Sequence, residues 1–213
     1  MKITFISDTH GQHAQLQLQK GDVLVHCGDI CNRGTEFEVL QFINWFKEQP
    51  FQYKIFIAGN HDWFLENLDK DYLEKILPKD VIYLNDSGIC IRGINFWGSP
   101  IQPTFFNWAF NRDRGEAINK HWQMIPKNTD ILITHGPPFG VLDKTIDGRN
   151  VGCEDLMLMI KDVKPKIHAF GHIHEANGTA EINETKFINA SVLDIRYRLT
   201  NEPIIIDYTI QTK

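Results

Sequence analysis

Five short apolar runs in this chain each end on a cluster of acids, amides and histidines, and nothing else in the sequence limits the fold as tightly. Ile3-Thr4-Phe5-Ile6 leads to Asp8-Thr9-His10, and Val23-Leu24-Val25-His26-Cys27 leads to Gly28-Asp29. Ile55-Phe56-Ile57-Ala58 leads to Gly59-Asn60-His61-Asp62, Ile131-Leu132-Ile133 to Thr134-His135-Gly136-Pro137-Pro138, and residues 167–170 to Gly171-His172-Ile173-His174. Apolar runs of this length, rich in Ile and Val, read as buried strands. Polar residues gathered where such strands end are how an α/β sheet presents a site.

The segments between these runs fit that reading. Thr35 to Glu48 carries Phe37, Leu40, Ile43 and Phe46 at helical spacing, with Thr35 placed to cap and Pro50 to stop. Asp69 to Leu77, Arg114 to Trp122 and residues 152–163 read as further helices, the last burying Cys153, Leu156, Ile160 and Val163 on one face. Val81 to Trp97 holds short β runs broken at Asn85-Asp86-Ser87-Gly88 and Gly93, which suggests antiparallel hairpins. Gly178–Ile182, Lys186–Ile188 and Ile204–Tyr208 supply the last strands. The pattern predicts an α/β fold of two mixed sheets packed between helices, as one domain over residues 1–213. The aromatic stretch Phe105, Phe106, Trp108 and Phe110 is too irregular for helix or strand. It covers a core edge or forms a wall facing substrate.

Composition excludes several classes of partner. With 22 Lys and Arg against 27 Asp and Glu, the net charge is −5, which argues against long nucleic acids and anionic membranes. Cys27, Cys31, Cys90 and Cys153 lack the paired spacing of a structural zinc site, and a chain of this size needs no disulfide framework, so reduced thiols in a cytoplasm are expected. The apolar run after Lys2 is too short for a signal peptide, and no segment reaches the ~20 apolar residues of a membrane span. The sequence sets no oligomeric state.

Carboxylate, amide and imidazole groups together form a donor set for hard or borderline divalent metals. Asp8 and His10 can share one ion if the backbone turns after Asp8, and Asp29 can bridge to a second. Asn60, His135 and His172 would complete the second ion, leaving His174 for the first. Glycines 11, 28, 59, 136 and 171 are expected to let backbone approach the ions. Five of the nine histidines lie in these clusters, a concentration that scattered structural histidines would not give. His26 and His168, inside apolar strands, are read as core, and His13 and His121 as surface.

The ordered set Asp8-x-His10, Gly28-Asp29, Gly59-Asn60-His61-Asp62, Thr134-His135 and Gly171-His172-x-His174 resembles the calcineurin-like metallophosphoesterase superfamily. Phe42-Ile43-Asn44-Trp45, Thr134-His135-Gly136-Pro137-Pro138, residues 164–168 and Asn189-Ala190-Ser191 bring it nearest the metallophosphoesterase domain-containing (MPPED) group of class III cyclic-nucleotide-phosphodiesterase-like proteins. The resemblance runs from about Asp8 to Asp207. It implies a four-layer αββα sandwich with a dinuclear centre at strand ends. It also implies hydrolysis of small phosphodiesters, with cyclic nucleotides a substrate class of related members. Two divalent ions are expected, manganese first, with iron, zinc or magnesium as alternatives. A hydroxide bridging them is expected to attack phosphorus. His61, near the ions without ligating either, would stabilise the transition state or protonate the leaving oxygen.

Two positions depart from the family pattern. Many relatives carry an acid where this chain has Asn32, to orient the histidine of Gly-Asn-His; the Asn32 amide oxygen is expected to serve His61 instead. Vertebrate MPPED proteins have Gly-Gly-Ile-His in the last motif, whereas His172 here supplies the extra ligand. The same centre could serve a phosphomonoesterase, with Arg33, Arg112 and Arg149 available to hold a terminal phosphate. A non-catalytic scaffold, as at least one retromer subunit of this fold is, would be expected to have lost ligands.

Overall fold

The structure, a computed structural model, describes residues 1–209. In chain order the strands are β1 (Lys2–Ile6), β2 (Gly21–His26), β3 (Phe51–Phe56), β4 (Val81–Tyr83), β5 (Ser87–Ile91), β6 (Ile94–Ser99), β7 (Gln102–Pro103), β8 (Asn111–Arg112), β9 (Ile131–Thr134), β10 (Ile167–Phe170), β11 (Gly178–Ile182), β12 (Thr185–Asn189) and β13 (Ile204–Asp207). The helices are α1 (Glu36–Lys47), α2 (Trp63–Glu66), α3 (Lys70–Ile76), α4 (Glu116–Trp122) and α5 (Glu154–Val163). Strands β7 and β8 pair on their own, and of the two large sheets one has the order β13-β1-β2-β3-β4, the other β11-β12-β10-β9-β6-β5. In each, the central strands run parallel, and antiparallel β13, β11 and β5 lie at edges, so both sheets are mixed.

Alternate residues of the central strands bury opposite faces, which is what packs the layers. Ile3, Phe5, Val23, Val25 and Ile55 meet Phe96, Ile131, Ile133, Ile167 and Ala169 in one buried cluster between the sheets. Ile6, Leu24, Phe56, Leu132 and Phe170, one residue out of phase, join the second cluster with the buried faces of α1, α4 and α5. Because the parallel strands pair in register, their C-terminal ends lie level in each sheet. There the sheets are stitched together: Ser7 bridges Ser191, and Val192 N–H donates to the Ser7 carbonyl at 3.0 Å. No helix among the described residues is long and apolar enough to cross a membrane.

Several expectations are corrected. Phe37 is 68% exposed, and α1 buries Val39, Phe42, Ile43 and Phe46 instead. Nine steps of ~100° place Phe37 about half a turn from Phe46, so spacing by three drifted off the buried face. The Thr35 cap is present as a full capping box with Glu38. Strand β4 pairs parallel to β3, so between Val81 and Trp97 only β5–β6 is a hairpin. The chain changes sheets at residues 84–86. Arg114 lies outside α4, which begins after Gly115 at φ 81°. His13 is buried against Phe42 and Trp45, and His121 is part-buried on the Asp86 carboxylate at 2.7 Å.

His26 and His168 are buried as expected, and burial pushes His168 down to about 3 from the usual 6.5. A depressed folded pKa means the unfolded chain binds the proton first. The stability contribution is complete above pH 6.5 and is lost as pH falls toward 3, by about 2 kcal/mol between pH 7 and 5. Urea titrations of metal-free protein at both pH values should show His168→Gln losing that share of the acid sensitivity. An unchanged pH difference would overturn the assignment.

Candidate metal centre

The loops after β1, β2, β3, β9 and β10 bring every expected ligand to one place. Ligand atoms of Asp8, His10 and His174 lie within 4.8 Å of one another, as do those of Asp29, His135 and His172, and those of His10, Asp29 and His61. Asp29 joins the groups: its Oδ2 is 3.6 Å from His10 Nε2 and 3.4 Å from His135 Nε2. Asn60 Oδ1 lies 2.9 Å from His135 Nε2. Asp8, His10, Asp29, Asn60 and His135 are buried, while His61, His172 and His174 stand at the mouth.

Strained backbone aims these groups. Asp8, His10, Asp29 and His172 all have positive φ, between 42° and 68°, a conformation costly for residues with a Cβ and concentrated at functional sites. Close approach comes from glycines at three of the loops, Gly28, Gly59 and Gly171, and a Cβ on Gly59 would run into the Asp29 main chain and carboxylate. A Cβ on Gly28 would lie 2.6 Å from both the Ala58 carbonyl and the His135 ring, and one on Gly171 would run into the Asp8 carboxylate and Ser7. Gly11 and Gly136 do not have this role, since a Cβ there would meet nothing closer than 3.7 Å.

Four of the five imidazoles are oriented through Nδ1. His10, His61, His135 and His174 meet the main-chain carbonyls of Cys31, Asn32, Cys27 and Asp194 at 3.1, 2.8, 3.0 and 3.1 Å. Donation to a carbonyl fixes the Nδ1–H tautomer and turns Nε2 toward the centre, the arrangement metal-binding histidines use. Asn32 is therefore corrected in detail: its main-chain oxygen, not its side-chain amide, holds His61. The Glu38 carboxylate in turn accepts the Asn32 and Arg33 N–H groups, tying this loop to the cap of α1.

The charges fit divalent cations. Burial raises the pKa of Asp29, but His135 and His10 beside it outweigh that and hold the carboxyl well below its usual range. Burial likewise disfavours a charged His135, yet Asp29 brings it up to about 9. Desolvation and the neighbouring His135 push His172 down to about 4. Two buried carboxylates thus face imidazole nitrogens and an amide oxygen in a confined space, a mixed oxygen and nitrogen donor set that suits a pair of divalent ions.

Three supporting residues carried no assigned role in the sequence reading. Asp62 accepts from Gly59 N–H at 2.7 Å, Cys31 N–H at 2.9 Å and Ile30 N–H at 3.2 Å, clamping the Asp29 and Asn60 loops together. Burial, then the nearby Asp29, raise its pKa to about 7. Its place in Gly59-Asn60-His61-Asp62 was a signal, but a carboxylate clamping main chain looks the same in sequence as a ligand. Ser191 donates to Asp8 Oδ2 at 2.6 Å. Tyr197 lies with its ring 4.6 Å from that of His10 and 5.3 Å from that of His174.

The aromatic loop divides between its two expected roles. Ala109 and Phe110 are buried, whereas Trp108 stacks on His61 at 4.3 Å and Phe105 meets His172 edge-on at 6.1 Å. Of the arginines considered for phosphate, Arg112 lies 3.6 Å from Glu66 and Arg149 lies 2.6 Å from Asp147.

Comparison with known proteins decides the family. The model of the family described as calcineurin-like phosphoesterase matches residues 1–176. The chain belongs to the calcineurin-like metallophosphoesterases. Human and mouse Metallophosphoesterase domain-containing protein 1 are each 40% identical to it over 225 residues, 95% of this chain and 69% of each relative. The solved structure of an archaeal protein described as a novel phosphodiesterase superposes with a TM-score of 0.51 at 18% identity, covering 97% of this chain and all of that one. The metallophosphoesterase fold of two mixed sheets is thereby shown, and the buried histidine and aspartate clusters are consistent with the dinuclear metal centre of that family.

Proposed function

We propose that this metallophosphoesterase hydrolyses small phosphodiesters at two divalent cations. The observation that carries the reading is Asp29, whose one carboxylate oxygen lies between His10 and His135 and so between two groups of candidate ligands. Asp8, His10 and His174 would hold one cation, Asn60, His135 and His172 the other, with Asp29 shared. Bound cations supply Lewis acidity toward phosphate oxygens and lower the pKa of water toward neutrality.

The chain's own residues do the rest. Their buried carboxylates and imidazoles form the floor, and the partly exposed rings of His61, His172 and His174 at the mouth leave one side open to substrate. His61, anchored at Nδ1 by the Asn32 carbonyl and steadied by Trp108, is placed to give a proton to the departing ester oxygen. A diester is favoured over a terminal dianion, because two of the three arginines considered to hold one, Arg112 and Arg149, are engaged with carboxylates, leaving Arg33 alone of that set. The phosphodiesterase among similar folds supports the same choice. Manganese is the first metal to try, with iron, zinc and magnesium as alternatives that the mixed donor set also suits. The four free cysteines suit a reducing cytoplasm.

The test is hydrolysis of bis-p-nitrophenyl phosphate and p-nitrophenyl phosphate side by side, on protein stripped of metal and reconstituted with manganese. Faster diester cleavage is expected. Faster monoester cleavage would make the protein a phosphomonoesterase, and inactivity toward both with metal bound would favour the scaffold.

A further inference from the structure

A cavity of about 290 Å³ adjoins the candidate metal centre, bordered by His172 and by Gly136 next to His135. Its size lies near the lower end of the roughly 300–1,000 Å³ of small-molecule sites, enough for one ring system. The His172 ring forms one wall and contacts both His135, at 5.1 Å, and Phe105, at 6.1 Å, each edge-on. Pro103, Phe105, Pro137 and Val151 make the remaining walls largely apolar. The Phe105 wall is fixed from behind, since Asn111 Nδ2 donates to the Phe105 and Phe106 carbonyls, each at 3.2 Å.

Arg114 stands at the rim of this cavity. Two of its guanidinium nitrogens donate to the Val151 and Gly152 carbonyls, both at 3.0 Å, which holds the group in place without neutralising it. Unlike Arg112 and Arg149, it pairs with no carboxylate among the described residues. A guanidinium has five N–H donors in a rigid fork, so donors remain for a ligand. A metal-side imidazole, flat apolar walls and a pinned, uncompensated cation thus surround one cavity.

We propose that this pocket seats the organic group of the phosphoester, and that Arg114 selects a flat group bearing an anionic or carbonyl oxygen at its outer edge. The assignment rests on the phosphoesterase reading above. Phosphorus at the centre leaves the ester substituent to pass His172 and lie between the apolar walls. Its outer oxygen then meets Arg114. No such specificity was assigned to Arg114 from the sequence, where it reads as the first turn of a helix.

Phenylphosphonate and 4-carboxyphenylphosphonate, which cannot be hydrolysed as esters, would be bound to manganese-loaded protein by calorimetry. Methyl phenyl phosphate and methyl 4-carboxyphenyl phosphate would be assayed as substrates in parallel. Wild type should prefer the carboxylated ligand, Arg114→Gln should bind it about tenfold more weakly while binding phenylphosphonate unchanged, and Arg114→Lys should keep part of the preference. Equal losses on both ligands would mean that Arg114 only props the 151–152 loop, and no loss on either would place the organic group elsewhere; each result overturns the proposal. Selective phosphonate binding with no turnover of either ester would sink the phosphoesterase reading and leave the pocket assigned. Turnover without any preference would do the reverse.

Discussion

Asp29→Asn is expected to abolish binding of both cations and to lower turnover by at least about 10³-fold, because several kcal/mol of Lewis-acid stabilisation disappear with the ions. Asparagine is the sharper choice over alanine. The Asp29 Oδ1 accepts the His61 main-chain N–H at 2.8 Å, and an amide oxygen preserves that bond while removing the charge. The loop is then left in place, and what is lost is the shared anion between His10 and His135. Elemental analysis of reconstituted protein gives the decisive number. Retention of two metals per chain would show that the carboxylate does not bridge.

His61→Ala should behave in the opposite way, keeping both metals and losing about 10²- to 10⁴-fold in turnover, the range a positioned proton donor contributes. The distinction matters because His61 lies within ligand reach of His10 and Asp29. Its Nδ1 is committed to the Asn32 carbonyl, and its ring is stacked on Trp108 at an interplanar angle of 25°. A metal count that falls in step with activity would make His61 a ligand instead. Near wild-type turnover would remove it from the chemistry altogether.

The candidate centre was readable because metal-binding residue types are few and fall at strand ends, where the Ile- and Val-rich runs mark the strands. The sheet order is set by contacts distant in sequence. Nothing local distinguishes β4, which pairs in parallel with β3, from the first arm of a hairpin, and the two share the same short apolar pattern. Phe37 was misplaced by counting in threes, and His13 by taking a polar residue in a polar stretch as surface, although Phe42 and Trp45 from the facing helix enclose it. Ser191, Asp194 and Tyr197 reach the centre from a loop after β12, and no spacing rule relates them to Asp8 or His174, nearly the whole chain or some twenty residues away. Arg114 illustrates the same limit, since its neighbours Val151 and Gly152 are joined to it only by the fold.

The four carbonyls behind the imidazoles bear on how sequences of this kind diverge. Cys27, Cys31, Asn32 and Asp194 hold the rings with atoms that every residue type possesses. Substitution at any of the four changes a side chain and leaves the orienting oxygen where it was, provided the local backbone keeps its path. Drift at these positions is therefore compatible with an unchanged centre, and an acid or an amide at position 32 can alternate without turning His61. Selection on ring orientation acts instead on whatever fixes the main chain, such as the Asp62 clamp beside His61 and the Thr35–Glu38 cap, which lies far from His61 in sequence.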